Sequence, residues 1–357
     1  MSQTTTSLHN FNHRFPIHSA LSSGTATPVN SSSHHSPPTT FSYTTSNPAH
    51  HNSNSNACYT PLESLEIVSR MGVKKANMRL DKTFLSAVSA GMLLSFACAT
   101  LISTNTAPWY QENAPGLIRT LAALVFPYGL VTVQMTGSDL CTGSFMYTTV
   151  AALHRRIGVL KMLRHWFVTF WGNLAGSLFV CLVIVGYGGI FDGALYSEES
   201  LIFGYKKQIV PAWYQIFLRG IGANWLVCMA CYLGCSGRDY FSKVVGIWWP
   251  TFAFVSLGFD HVVANMFLIP NAIFHGSPSI TVGLYIWKGI IPALLGNIIG
   301  GGFFVSCLYY YLHLQGHSDV AIDGSYYEAK HRPALAGTYT LSLIQHLVIV
   351  DHYYFRD

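Results

Sequence analysis

The stretch SLGFDHVVANMF, Ser256 to Phe267, sets an aspartate and a histidine side by side in a segment apolar enough to lie in lipid. Gly258 precedes them and permits a sharp backbone turn. The apolar run around it, Val244 to Phe274, would make a straight helix of roughly 45–55 Å, against about 30 Å of bilayer hydrocarbon. A second run, Leu117 to Leu153, has the same excess length and a similar interruption, MTGSDLCTGS. Each run is therefore either a tight hairpin of two short helices or one crossing made of two half-helices joined by a non-helical loop. Broken backbone at membrane depth survives only where protein or a water-filled cavity surrounds it. The two breaks are accordingly the places to look for function.

Four further apolar stretches complete the pattern: Phe84 to Ser103, Trp166 to Ile190, Ile209 to Gly234 and Ile280 to Leu312. Composition agrees with an integral membrane protein, because only 10% of residues are charged and 50% are hydrophobic. Soluble domains carry about a quarter charged residues. Residues 1–58 differ in kind. They are rich in Ser, Thr, His and Asn, lack an apolar period and read as a disordered cytoplasmic tail. The tail has no secretory h-region, and its Asn47-Pro48-Ala49 lies in low-complexity sequence. Residues 59–314 form the membrane domain and 315–357 a C-terminal cytoplasmic tail. In that tail LSLIQHLVIV is too short to span.

Basic residues select between the two readings of the long runs. Arg70, Lys74, Lys75, Arg79 and Lys82 precede the first span. Arg155, Arg156, Lys161 and Arg164 follow the second, Arg238 and Lys243 the fourth, and Lys330 and Arg332 the last. All fall on one side if each interrupted run crosses once, with Lys206 and Lys207 as exceptions. The expectation is six crossings with both termini cytoplasmic.

An internal repeat runs through the chain. FWGNLAGSLFV in the third span matches LLGNIIGGGFFV in the sixth, aligning Gly172-Asn173 with Gly296-Asn297. Asp139 and Asp260 precede these asparagines by similar intervals. Three crossings per copy invert the second copy, so the expected fold is all-α, six transmembrane helices in two inverted three-helix repeats, with the second and fifth helices broken. Solute pathways are commonly built this way.

His261, ionisable and intramembrane, is the first candidate for the solute path. Asp139 and Asp260 each stand before the second half-helix, where a carboxylate suits the N-cap, so they are expected to cap. Thr142 and Asn265 lie within a turn of those starts and offer a hydroxyl and an amide to an oxyanion; Asn265 could equally satisfy broken backbone. Phe126, Leu130 and Phe254 lie on the flanking halves, as core packing or as a pore constriction. Asn173, Asn224 and Asn297 read as contacts between helices. Arg164 reads as a cap of the third span or an attractor of anions. Cys228, Cys231 and Cys235 share a helix face without a histidine, which suits packing better than a metal.

Taken together, TGSDLCTGS, NWLVCMACYLGCSGRD, GFDHVVANMFLIP and LLGNIIGGG resemble the formate/nitrite transporter family over Tyr59 to Leu314, and its fungal members in particular. The resemblance implies an aquaporin-like fold and a homopentamer with one pore per subunit. It implies small monovalent anion substrates such as formate or nitrite, often moved with a proton. It also implies a central histidine, His261, hydrogen-bonded to Thr142, between two constrictions drawn from Phe126, Leu130, Leu140 and Phe254. Many bacterial members carry an aromatic residue where this chain has Cys141. No catalysis, cofactor, metal or nucleic-acid partner is implied. The plasma membrane is the expected residence, with vacuolar or mitochondrial membrane as alternatives. Two rivals remain: an aquaporin-like channel for neutral solutes, which would carry Asn-Pro-Ala at both breaks, and an intramembrane enzyme using Asp139, Asp260 and His261.

Overall fold

The computed structural model describes residues 57–318 and 320–327. The disordered reading of the N-terminal tail, except for its last two residues, and that of LSLIQHLVIV fall outside the described residues. The described chain is helical. Five helices are long and apolar enough to cross a membrane, and a sixth crossing is supplied by a pair bent by 47°.

Helix α1 (Pro61–Ala76) was not foreseen as a separate element. Its start is built locally: Thr60 accepts from the Glu63 N–H, Glu63 reaches back to the Thr60 N–H, and Pro61 occupies the first turn. This reciprocal cap satisfies donors the helix cannot. The crossings then follow as α2 (Leu80–Asn105), α4 (Pro115–Thr136) continued by α5 (Cys141–Leu153), and α6 (Val159–Tyr187). A short helix, α3 (Pro108–Asn113), links α2 to α4. In the second half the crossings are α8 (Trp213–Ser236), α9 (Tyr240–Leu257) continued by α10 (Val262–Phe274), and α11 (Val282–Leu314).

The acidic segment FDGALYSEES, residues 191–200, runs into helix α7 (Ala194–Gln208). Lys206 and Lys207 lie in its last turn, where the helix dipole favours cations. Helix α1 also ends in two lysines, Lys74 and Lys75. The Tyr59 N–H donates to Ser236 O at the C-terminal end of α8, whereas α7 precedes its N-terminal end. The helices α1 and α7 therefore stand at opposite ends of α8.

Gly137 (φ 72°) and Gly258 (φ 73°) terminate α4 and α9 in the left-handed conformation. That conformation is strained for a residue with a Cβ. Elsewhere glycine allows backbones to touch. A Cβ on Gly176 of α6 would lie 2.0 Å from Val88 O of α2, and one on Gly296 of α11 would lie 2.3 Å from Phe217 O of α8. In lipid such close approach of small residues lets helices associate through packing.

At the α1 end, residues 320–327 pack back onto the bundle. Arg70 donates to Val320 O and Ser325 O, Arg156 lies 4.2 Å from the Tyr327 ring centroid, and Asp323 accepts from Tyr59 and Arg238. The buried carboxylate of Glu66 takes Arg70 at 2.6 Å and Arg156 at 2.9 Å. Two arginines on one buried carboxylate offset its desolvation.

Candidate functional site

At the first break, residues 137–140, the chain leaves α4 and restarts as α5. The expectation that Asp139 caps this restart is corrected: the N-cap position is held by Leu140, and no side chain of the break itself caps it. Asn173 of α6 does the work from a distance. Its Oδ1 accepts the Cys141 N–H at 2.8 Å, and its Nδ2 donates to Asp139 O and Ala87 O. The second break repeats this. Asn297 Oδ1 accepts the Val262 N–H at 2.8 Å, and its Nδ2 donates to Asp260 O and Gly220 O. Asp260 is likewise not the cap of α10; that position belongs to His261. Each asparagine satisfies three backbone groups that lipid could not.

The aspartate side chains turn away from the helix starts toward cations. Asp139 Oδ1 lies 2.9 Å from Lys75 Nζ, and its Oδ2 lies 3.1 Å from His165 Nε2. Asp139 also accepts from Ser144 Oγ. Asp260 Oδ1 lies 3.0 Å from Lys207 Nζ, while its Oδ2 has only Arg219 at 4.0 Å. Both carboxylates are fully buried. Capping would have left each aspartate's charge facing a few N–H dipoles; a full cation offsets more of its desolvation. Lys75, Lys207 and His165 were missed from sequence. Arg164, beside His165, is exposed and makes no ion pair among the described residues.

His261 sits between the two half-helices with only 2% of its surface exposed. Its Nδ1 accepts the Ala264 N–H at 3.2 Å, and its Nε2 lies 2.9 Å from Thr142 Oγ1. An accepting Nδ1 carries no proton, so the neutral ring holds its proton on Nε2 and donates it to Thr142. The Thr142 hydroxyl proton is then available to another acceptor. Protonating Nδ1 would set two donors against each other and break the cap. Asn224 and Cys228 of α8 fix the Thr142 backbone by donating to its carbonyl.

Apolar residues screen this pair. Phe126 of α4 and Phe254 of α9 meet edge to face at 5.6 Å, and Phe254 also lies 5.8 Å from the His261 ring. Leu140 in the first break and Leu130, about two turns earlier on α4, are buried. Phe126 and Phe254 line a cavity of about 730 Å³ at the α7 end, with Arg119, Lys206, Lys207 and Arg219 on its walls. Phe254 therefore separates the cavity from His261. Asn265 is placed differently: its Nδ2 is committed to Gly289 O of α11 at 3.1 Å. The arrangement sets a cavity with cations on its walls on one side of Phe126 and Phe254, and the His261–Thr142 pair behind them.

Comparison with known proteins gives one answer. The formate/nitrite transporter family model matches residues 62–311. A probable formate transporter of Methanothermobacter thermautotrophicus is 35% identical over 72% of this chain and 97% of its own length. An uncharacterized transporter of Saccharomyces cerevisiae is 32% identical over 71% of this chain and 40% of its own length. Among solved structures, a pentameric formate channel with formate bound superposes with a TM-score of 0.58 at 28% identity, covering 65% of this chain and 97% of that one. This multi-pass membrane chain belongs to the formate/nitrite transporter family.

Proposed function

We propose that this protein moves small monovalent weak-acid anions, formate and nitrite foremost, through a pore in each subunit of a homopentamer, the solute passing the apolar neck as its neutral acid. The plasma membrane with both termini cytoplasmic is the matching placement. The observation that carries the reading is the buried His261–Thr142 pair behind Phe126 and Phe254. A bare carboxylate entering such a neck loses several kcal/mol of solvation. Protonating an acid of pKa near 4 at pH 7 costs only about 4 kcal/mol.

The proton arrives with the acid rather than from the ring. His261 has no accessible second proton, because Nδ1 is occupied as the cap acceptor. Donating the Nε2 proton outright would leave an anionic imidazole. His261 and Thr142 instead supply one hydrogen-bonding station in an otherwise apolar passage. Relatives named as formate transporters and a formate-bound pentameric channel support the substrate class and the assembly. A neutral-solute channel lacks support at the breaks, which carry Gly-Ser-Asp and Gly-Phe-Asp in place of Asn-Pro-Ala.

Uptake of labelled formate into proteoliposomes across a pH series tests this. Wild-type uptake should rise about tenfold per unit fall in pH while the neutral acid is limiting. His261→Asn keeps a cap acceptor for Ala264 but removes the Nε2 donor, and uptake should drop about tenfold or more. Unchanged rate and pH dependence in His261→Asn and His261→Ala would overturn the role of the ring.

A further inference from the structure

The two breaks match in their lysine–aspartate pairs and their asparagine caps, but not in what faces the second carboxylate oxygen. Asp139 Oδ2 has His165 at 3.1 Å. Asp260 Oδ2, fully buried and like Asp139 Oδ2 without a hydrogen bond, has only Arg219 Nη1 at 4.0 Å. Arg219 is thus loosely held, with 40% of its side chain exposed. A second guanidinium lies close by. Arg119 Nη2 occupies the space a side chain at position 258 would take, 2.5 Å from a Cβ built on Gly258. Gly258 and Asp260 are two residues apart, so their Cα atoms are within about 7 Å. Among the described residues Arg119 has no hydrogen bond or ion pair.

Both arginines line the cavity whose inner wall includes Phe126 and Phe254. Nearby acid is already engaged: Glu199 accepts from Asn105 and Gln111, and Asp260 Oδ1 from Lys207. Two guanidinium groups therefore reach the rim of the second break, one beside Gly258 and one beside Asp260, with donors to spare. Guanidinium forks match the paired oxygens of a planar oxyanion, whereas an ammonium supplies only a point charge.

We propose that Arg119 and Arg219 form an oxyanion seat at the α7 end of the pore, holding a carboxylate or nitrite by its two oxygens before it reaches Phe254. Asp260 is the positioning residue, keeping Arg219 at the rim through the oxygen that makes no hydrogen bond. The seat deepens the transport reading and depends on it. It makes capture selective for forked oxyanions over single-atom anions of the same charge.

Uptake kinetics of formate, nitrite and hydrosulfide in phosphatidylcholine vesicles test the seat, using Arg119→Gln, Arg219→Gln and the corresponding lysine variants. Each glutamine variant should raise the apparent KM for formate and nitrite about tenfold while changing that for hydrosulfide less than about twofold. Lysine should recover only part of the loss. In wild-type protein, formate should slow phenylglyoxal modification of Arg119 and Arg219, read by mass spectrometry, and leave Arg79 unprotected. Equal KM changes for all three anions would reduce the arginines to a diffuse charge and overturn the seat, as would unaltered KM values or absent protection. A KM effect confined to vesicles containing anionic lipid would assign the arginines to headgroups instead and also overturn it. Absence of any wild-type formate flux would strike the transport reading itself, a separate result.

Discussion

Lys207 Nζ stands 3.0 Å from Asp260 Oδ1 and also donates to the carbonyl oxygens of Gly258 and Phe259, at 3.1 and 2.7 Å. One ammonium thereby uses all three of its donors to close the second break from the α7 side. Lys207→Met strands a buried carboxylate and two carbonyls. It should lower stability by about 3–5 kcal/mol. Lys207→Met with Asp260→Asn removes both charges and should recover much of that loss. Thermal unfolding of the purified protein in detergent reads both, and a double variant no more stable than the single one would contradict the pairing argument.

The asparagine caps invite a sharper substitution. Asn297→Asp retains an acceptor for the Val262 N–H but turns a second oxygen on Asp260 O and Gly220 O. Asn297→Ala leaves three groups unpartnered, at about 1–3 kcal/mol each. Aspartate should be at least as damaging as alanine. Folded yield and melting temperature report the order, and near-wild-type stability of Asn297→Asp would be the contrary result.

Two glycines separate conformational strain from crowding. Gly137 has φ 72° with open space around a built Cβ, whereas Gly296 meets the Phe217 carbonyl at 2.3 Å. Gly137→Ala should cost about 1–2 kcal/mol. Gly296→Ala should force α8 and α11 apart and cost about 1–3 kcal/mol or more. Native gel mobility and melting temperature distinguish the mild lesion from the severe one.

Phe254 lines the cavity and lies 5.8 Å from the His261 ring, so on the proposed path its bulk would set the neck. Phe254→Leu should admit larger acids and raise the ratio of lactate to formate uptake about tenfold. Competitive uptake of the two labelled acids measures the ratio directly. An unchanged ratio would move the size limit elsewhere.

Sequence reading reached His261 and Thr142 because a histidine and a hydroxyl beside glycine breaks are conspicuous in apolar chain. It also placed the crossings closely, since the long runs of α2, α6, α8 and α11 leave little freedom. It misassigned Asp139 and Asp260 for a physical reason. An aspartate just before a helix ordinarily caps it, but here the capping acceptors come from Asn173 and Asn297, separated from the N–H groups they satisfy by 32 and 35 residues. The cations were hidden in the same way. Lys75 and Lys207 are 64 and 53 residues from their aspartates, and a lysine near a membrane helix first reads as a topology signal. Nothing local in the chain announces which of two adjacent lysines, Lys206 or Lys207, turns inward. Only the packing of α7 against α10 decides it, where Gly204 meets Ala272.

Tyr59 and Asp323 touch at 2.7 Å, although they are 264 positions apart in the chain. The two ends of the described segment thus meet at a shared doorway, with Arg238 as the post to which both are tied. A strain applied at Tyr59 must therefore be felt at Asp323, because both lean on one guanidinium.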